Sequence, residues 1–89
     1  MRTIIATNRF KKNIKLQKKR GKDRLKLEAV LTYLVDNGDA PEHCRPHDLV
    51  GNWTGYRECH IESDWLLIYT ATDDLITLYR TGTHADIFG

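Results

Sequence analysis

The sequence has few of the features that mark secreted and membrane proteins. Its 89 residues include only two cysteines and two prolines. The longest unbroken apolar run, residues 65–69, is far shorter than a membrane span or a signal peptide's apolar region. Two thiols are too few for a secreted disulfide scaffold, so Cys44 and Cys59 are predicted to be free. We therefore expect a cytoplasmic protein with a single domain over residues 1–89.

A net charge of +2 conceals a strong separation of charge along the chain. Residues 1–26 hold eleven lysines and arginines against one acid, a net charge of +10, whereas residues 27–89 have a net charge of −8. Clustered cations attract nucleic acids and acidic proteins, so either is a candidate partner. A solvated basic helix face explains the same charge run without any partner.

The pattern of apolar residues predicts an α+β fold. Helical spacing of apolar residues, with Thr7 or Asn8 and then Asp23 as N-caps, indicates two helices in a hairpin. Alternating or β-branched runs separated by short turns indicate strands, the last three forming an antiparallel meander that the helices cover on one face. The predicted elements are a strand over residues 2–7, helices over 8–20 and 24–35, a surface connection over 38–50, and strands over 53–61, 65–70 and 75–80.

Residues that can transfer protons or bind phosphate occur near the ends of the predicted strands. If they converge, they suit metal-free cleavage of RNA, which needs a base, an acid and positive charge on the phosphoryl oxygens. Phe88 offers a ring on which an unpaired base can stack. The connectivity leaves two arrangements open: His60 and Asp64 lie at the opposite end of the strands from Arg80 and His84, or a twisted sheet of short strands brings both pairs to one concave face. The candidates are His47, His60, Asp64, Arg80 and His84.

Each candidate also has a structural explanation. Asp64 suits a turn, Arg80 suits an ion pair with an acid such as Glu58, and Phe88 suits the core. The same holds for the aromatic residues of the predicted strands, which are typical of sheet packing. These are Trp53, Tyr56, Trp65 and Tyr69.

Two imidazoles stand next to thiols, at His43–Cys44 and Cys59–His60, and these four groups are possible zinc ligands. Adjacent residues of a strand point to opposite faces, so Cys59 and His60 cannot readily bind one ion. Neither pair has the spacing of a zinc knuckle or ribbon. We expect no metal and no cofactor.

The order of residues in the C-terminal half resembles the signature of YafQ-type toxins, members of the RelE/ParE superfamily of type II toxin–antitoxin systems. The resemblance rests on two segments, HDLVGNWTGYRECHIESDWLLIY and LYRTGTHADIFG, and covers residues 47–89 closely. It implies a RelE-like fold and a ribosome-dependent endoribonuclease that cuts mRNA in the A site of the 70S ribosome. It also implies a cognate antitoxin that forms a complex with the toxin and silences it.

The resemblance assigns roles by position. By position, His47, His60, Asp64 and His84 match the family's catalytic residues. We hypothesise that His84 protonates the leaving oxygen and that His60, with Asp64 or His47, handles the 2′-hydroxyl, because the motif fixes the positions but not which histidine is acid and which is base. The resemblance makes Arg80 the phosphate-binding arginine and Phe88 the aromatic that orients the substrate. Trp65 is placed beside the substrate in support of Asp64. The basic face expected to dock on ribosomal RNA, or to be covered by the antitoxin, comprises Lys11, Lys12, Lys15, Lys18, Lys19 and Arg20.

Two other functions remain open at this point. A ParE-type toxin of the same superfamily inhibits gyrase without cleaving RNA, and a basic nucleic-acid-binding module would carry its histidines incidentally. The set of three histidines with Asp64 and Arg80 favours the nuclease, because neither alternative needs it. His43 lies outside the signature and is assigned to the surface.

Overall fold

The computed structural model describes residues 2–89, which form one mixed sheet, two long helices and a short terminal helix. The strands are β1 (Thr3–Ala6), β2 (His47–Asp48), β3 (Arg57–Glu62), β4 (Trp65–Ala71) and β5 (Leu75–Gly82). The helices are α1 (Asn8–Lys19), α2 (Arg24–Asn37) and α3 (His84–Phe88). This arrangement confirms the predicted α+β class.

The sheet has the strand order β1-β5-β4-β3-β2. The strands β3, β4 and β5 form the predicted antiparallel meander, and β2 adds an antiparallel strand beyond β3. The first strand, β1, pairs in parallel with β5, and the chain between them runs through the helical hairpin and then through β2, β3 and β4. A β-bulge between β4 and β5 leaves Tyr79 without a partner and aligns Arg80 with Ile68.

Both long helices begin at the predicted caps. The Thr7 hydroxyl accepts a hydrogen bond from the backbone N–H of Phe10, and the Asp23 carboxylate accepts one from Leu25. Gly38 ends α2 in the left-handed conformation with φ of 80°, as its place after the last apolar turn indicates. Local sequence therefore fixes where α1 and α2 start and where α2 stops.

The two faces of the sheet are used differently. One face packs on α1 and α2 around a core that includes Leu34, Leu67 and Tyr69. The other face, called here the open face, is covered only in part: α3 places Ile87 against Leu66 and Ile68. The open face therefore has room for polar side chains next to a small apolar cluster.

Two local predictions are wrong, and one element, the helix of the tail, was not predicted. The strand expected to begin at Trp53 begins at Arg57, because the chain turns through Gly51 and Gly55, both with positive φ. The expected connection contains a strand, β2, which is too short to show periodicity. The tail forms a helix, α3, closed by a capping box between Thr83 and Asp86.

Within residues 2–89 no helix combines the length and the apolar character needed to cross a bilayer.

The α2 core contact gives a stability prediction. Leu34 is fully buried between α2 and the sheet, so Leu34→Ala should lower the free energy of unfolding by about 2–5 kcal/mol. Leu25 lies on the same helix and is 66% exposed, so Leu25→Ala should change it by less than about 0.5 kcal/mol. Urea denaturation of the two variants measures both values. Equal effects would contradict the assigned packing of α2.

Candidate active site

The open face carries a group of polar side chains on β2 and β3. Glu58 and His60 are two positions apart on β3 and therefore point to the same face. Their partners on β4 are Ile68 and Leu66, both in the apolar cluster of the open face. On the outer side, His47 of β2 pairs with Glu58. The sheet register thus brings two predicted catalytic histidines to one surface.

The tail completes a row of rings across this surface. Ring centroids are 6.2 Å apart for His47 and His60, 5.9 Å for His60 and His84, and 6.4 Å for His84 and Phe88. We call these four residues the ring row. Three imidazoles from separate parts of the chain therefore lie within reach of one substrate group.

Of the two arrangements that the connectivity leaves open, the structure has the one in which Asp64 and His84 meet. In an antiparallel pair the end of one strand lies beside the start of the other, and Leu66 near the start of β4 pairs with Gly82 at the end of β5. The β3–β4 turn, which holds Asp64, is therefore next to α3, which holds His84. The register of the β4–β5 pair therefore brings Asp64 and His84 together.

Asp64 holds His84 through two hydrogen bonds. Its Oδ1 accepts the backbone N–H of His84 at 2.9 Å and lies 2.7 Å from the ring Nδ1. The hydrogen bond from the backbone of His84 lowers the pKa of Asp64 most, and the one from its ring lowers it further. An ionised carboxylate can only accept, so Nδ1 carries a hydrogen and Nε2 is left for proton transfer. Asp64 thus orients His84 by hydrogen bonding and is not a hydrogen-bond partner of His60.

Glu58 is a residue of the site that the sequence analysis missed. Its side chain is only 5% exposed, and its Oε1 lies 3.4 Å from Nε2 of His47 and 3.6 Å from Nε2 of His60. The Nδ1 atoms of the two rings face backbone oxygens, those of Arg45 at 3.0 Å and Ser63 at 3.4 Å. Both rings are therefore turned with Nε2 toward one buried carboxylate.

A signal for Glu58 was present in the sequence. Strand alternation places it on the face of His60, between two predicted catalytic histidines. The ion pair between Glu58 and Arg80 that the sequence allows does not form, because Arg80 donates to Asn13 and to the backbone oxygen of Asp86.

The same three residues are the strongest metal-donor set in the described part of the chain. One ligand atom each from His47, Glu58 and His60 lies within 4.8 Å of the others. Two imidazoles and a carboxylate suit ions such as Zn²⁺. The cysteine pairs considered from the sequence do not form this set, because Cys44 and Cys59 are buried in the core between the helices and the sheet.

Arg80 is nearly buried, at 8% exposure, and is connected to the ring row through α3. Its Nε donates to Asn13 Oδ1 at 2.8 Å and its Nη2 to the Asp86 carbonyl at 3.2 Å. Burial, and next the charge of Arg9, lower the pKa of Arg80. Neither hydrogen-bond acceptor carries a charge here, so the guanidinium remains available to an anion.

Arg80 faces a surface groove of about 240 Å³ that none of the histidines lines. Arg9 is a second cation in this groove, and the sequence analysis did not single it out. The groove reaches the ring row through Trp53, whose ring centroid is 5.8 Å from that of Phe88. Its other lining residues are Thr7, Tyr56 and Tyr79.

Trp65 does not belong to the site. It is 1% exposed and part of the core on the helix-covered face, where its Nε1 donates to the Thr81 hydroxyl at 2.9 Å. The predicted contact of Trp65 with substrate is therefore wrong, and its indole stabilises the β4–β5 pair beneath the site.

The predicted basic face of α1 lies at the surface, but one of its six cations is paired with an acid. The lysines at positions 11, 12, 15, 18 and 19 are exposed. Arg20 instead forms a two-pronged ion pair with Asp86, with Nη1–Oδ2 at 2.5 Å and Nη2–Oδ1 at 3.0 Å. Because this ion pair engages both prongs of the guanidinium, Arg20 is less available to a phosphate than the five lysines, and its role in RNA binding stays a prediction.

Comparison with known proteins shows the family of this chain. A family model described as the bacterial toxin of type II toxin-antitoxin system, YafQ, matches residues 2–89. The chain belongs to this family. The mRNA interferase toxin YafQ of Escherichia coli strain K12 is 45% identical over 89 residues, covering 99% of this chain and 97% of that protein.

Solved structures of YafQ proteins share the fold. The crystal structure of YafQ from Escherichia coli BL21(DE3) matches with a TM-score of 0.91 and 43% identity, over the whole of both chains. YafQ in the Escherichia coli DinJ-YafQ toxin-antitoxin complex matches with a TM-score of 0.89 and 45% identity, over 99% of this chain and 98% of that one. The recognition made from residues 47–89 is confirmed.

The Asp86 ion pair gives a pH prediction. The hydrogen bonds from Arg20, followed by that from the Thr83 backbone, lower the pKa of Asp86 in the folded protein. Such a carboxylate contributes stability above its unfolded pKa and loses the contribution as the pH falls through the folded value. Wild type should therefore exceed Asp86→Asn in free energy of unfolding at neutral pH, with a gap that shrinks below about pH 4.

Urea denaturation between about pH 7 and pH 3 measures this gap. Asp73→Asn is the matched control, because Asp73 is exposed in the β4–β5 turn. A gap for Asp86→Asn that stays constant with pH would contradict the assigned ion pair.

Proposed function

We propose that the protein cleaves mRNA in the ribosomal A site by metal-free acid–base catalysis at the ring row. It is an mRNA endoribonuclease and the toxin of a type II toxin–antitoxin system, as predicted from the sequence. The observation that carries the mechanism is the convergence of His47, His60 and His84 with the carboxylates of Glu58 and Asp64.

The reaction sets the requirements for the site. The ribose 2′-oxygen attacks the adjacent phosphorus as its proton passes to a base, and the bond to the 5′-oxygen breaks as an acid protonates it. The products are a 2′,3′-cyclic phosphate and a 5′-hydroxyl. Histidine can act as either partner because it titrates near neutral pH.

His84 is the proposed acid. Its Nδ1–H is held by Asp64 at 2.7 Å, which orients the exposed ring and stabilises the positive charge of a protonated imidazole. The remaining Nε2 delivers the proton to the leaving 5′-oxygen. The neighbouring Phe88 ring, 43% exposed, stacks on a base and places its phosphate beside Nε2.

His60 and His47 are the proposed base and its support, with Glu58 behind both. The side chain of His60 is 15% exposed and that of His47 is 47% exposed, so both reach the substrate. The side chain of Glu58 is only 5% exposed, so it acts through the two histidines. The Glu58 carboxylate lies 3.4 and 3.6 Å from the two Nε2 atoms, so its negative charge faces the rings on which positive charge develops when the base takes a proton. Glu58 thereby stabilises the proton that the base takes from the 2′-hydroxyl.

The charged surfaces on either side of the ring row bind the RNA. Arg80 and Arg9 contact phosphates in the groove beyond Phe88 and Trp53, and the aromatic lining accepts an unpaired base. The exposed lysines of α1 dock on ribosomal RNA through phosphate contacts, which position the enzyme without reading sequence. The ribosome as target also places the protein in the cytoplasm.

A cognate antitoxin silences the protein by forming a complex with it. Support comes from membership in a type II family and from the DinJ-YafQ complex of Escherichia coli, which matches 99% of the chain. The ParE-like and simple nucleic-acid-binding alternatives are less well supported, since neither accounts for a buried carboxylate shared by two imidazoles.

Replacing the acid should abolish cleavage without unfolding the protein. His84→Ala should lower the cleavage rate on translated mRNA by at least about a hundredfold, because no other group protonates the leaving oxygen. The measurement is the appearance of new 5′ ends in translated transcripts after expression without antitoxin. His43→Ala is the control, since His43 is exposed and outside the ring row, and it should cleave like wild type. Wild-type cleavage by His84→Ala would remove His84 from the mechanism.

Glu58→Gln tests the buried carboxylate while keeping its size. We expect the cleavage rate to fall by roughly tenfold or more, because the imidazoles lose the negative charge that stabilises their protonated form. Glu62→Gln is matched in chemistry and strand, but Glu62 pairs with Lys22 and Lys26 outside the row. It should retain the wild-type rate; equal rates for both variants would refute the role of Glu58.

A further inference from the structure

The inner side of α1 carries a polar stripe directed at the C-terminal segment. Asn13, Gln17 and Arg20 are spaced four and three residues apart, so they lie on one face of the helix. Each forms a hydrogen bond with a residue between Arg80 and Asp86. We call these three residues the α1 stripe. The lysines of the same helix point elsewhere and are exposed.

Asn13 holds the end of β5. Its Oδ1 accepts from Arg80 Nε at 2.8 Å and from the backbone N–H of Thr81 at 3.1 Å. Since Thr81 also bonds across the sheet to the carbonyl of Leu66, the Arg80 guanidinium is fixed relative to β4. One amide side chain thus sets where the phosphate-binding arginine of the proposed site can point.

Asp86 is the point at which α3 is fastened to α1. Its carboxylate receives both prongs of Arg20, the Gln17 amide at 3.5 Å and the backbone N–H of Thr83 at 2.9 Å. The approach is tight at Gly82, where a Cβ atom would lie 2.7 Å from Asp86 Oδ2. Any other residue at position 82 would displace this carboxylate.

The fastening matters because α3 has little stability of its own. It spans five residues, and helices this short are not stable in isolation. Asp86 follows His84 by two positions, so the orientation of His84 depends on the ion pair as well as on Asp64. Small displacements of a catalytic group have large effects on rate.

We propose that the α1 stripe is a positioning device for catalysis, with Arg20–Asp86 setting the place of His84 and Asn13 that of Arg80. The proposal rests on the ring row being the catalytic site. It moves Arg20 from the RNA-binding face of α1, where sequence alone places it, to the support of the active site. Loss of a positioning residue should lower the cleavage rate at saturation, whereas loss of an RNA-binding residue should raise the half-saturating ribosome concentration.

The first experiment compares Arg20→Met with Lys19→Met, a neighbouring cation on the exposed face. Single-turnover cleavage of mRNA is measured over a range of ribosome concentrations. Arg20→Met should lower the rate at saturation roughly ten- to hundredfold and leave the half-saturating concentration unchanged. Lys19→Met should raise the half-saturating concentration and leave the saturated rate unchanged. Arg24→Met, at an exposed ion pair of α2, should change neither.

A double-mutant cycle tests the coupling to Asp86. If Arg20 acts through Asp86, Arg20→Met combined with Asp86→Asn should be no slower than the slower single variant. Arg20→Lys, which retains a charged donor, should recover part of the rate, and thermal melts establish that every variant is folded at the assay temperature. The proposal is overturned if Arg20→Met behaves like Lys19→Met, or if its effect multiplies with that of Asp86→Asn.

Amide exchange separates failure of this proposal from failure of the proposed function. Arg20→Met should speed exchange at Ile87, whose N–H bonds to the Thr83 carbonyl in α3, and leave the β4–β5 pairs unchanged. If wild type yields no cleavage products, the proposed function fails whatever the exchange shows. If wild type cleaves and α3 in Arg20→Met exchanges as slowly as in wild type, the positioning role fails alone.

Discussion

The antiparallel pairing of β4 with β5 is the constraint on which the rest of the site depends. It sets the end of β5 beside the start of β4, and so brings α3 to the turn between β3 and β4. Asp64 on that turn then bonds both the backbone and the ring of His84. Residues twenty positions apart meet because of backbone pairing, and the carboxylate–imidazole contact follows from it. The buried indole of Trp65, bonded to Thr81, stabilises this pairing from the other face.

Strand alternation divides the sheet into a face for stability and a face for chemistry. Cys59 and Leu67 point into the core with α1 and α2, whereas Glu58 and His60 point to the open face. A carboxylate as buried as Glu58 is costly unless it is compensated by partners, and the two histidines supply that compensation. The carboxylate whose burial is costly for folding is the same group that the proposed mechanism places behind the two imidazoles.

The helix α1 serves two purposes on two sides. Its exposed lysines are suited to phosphates of RNA, and its inner stripe fastens the C-terminal segment. Arg20 shows the limit of counting charges along a sequence. It belongs to a run of cations, yet its guanidinium forms an ion pair with Asp86 of α3 in the same molecule. Net charge describes the field around a protein, while the role of one cation depends on its nearest acid.

The sequence by itself determined the class of fold, the helix caps at Thr7 and Asp23, and the imidazoles of the ring row, because these depend on local chemistry and on a signature of fixed spacings. Tertiary structure alone decided what lies beside what. The pairing of β2 with β3 places Glu58 beside His47, and burial in the core excludes Trp65 from the site. A bulge that has no local signal aligns Arg80 with Ile68. Such contacts join residues far apart in the chain, so no window of sequence contains them.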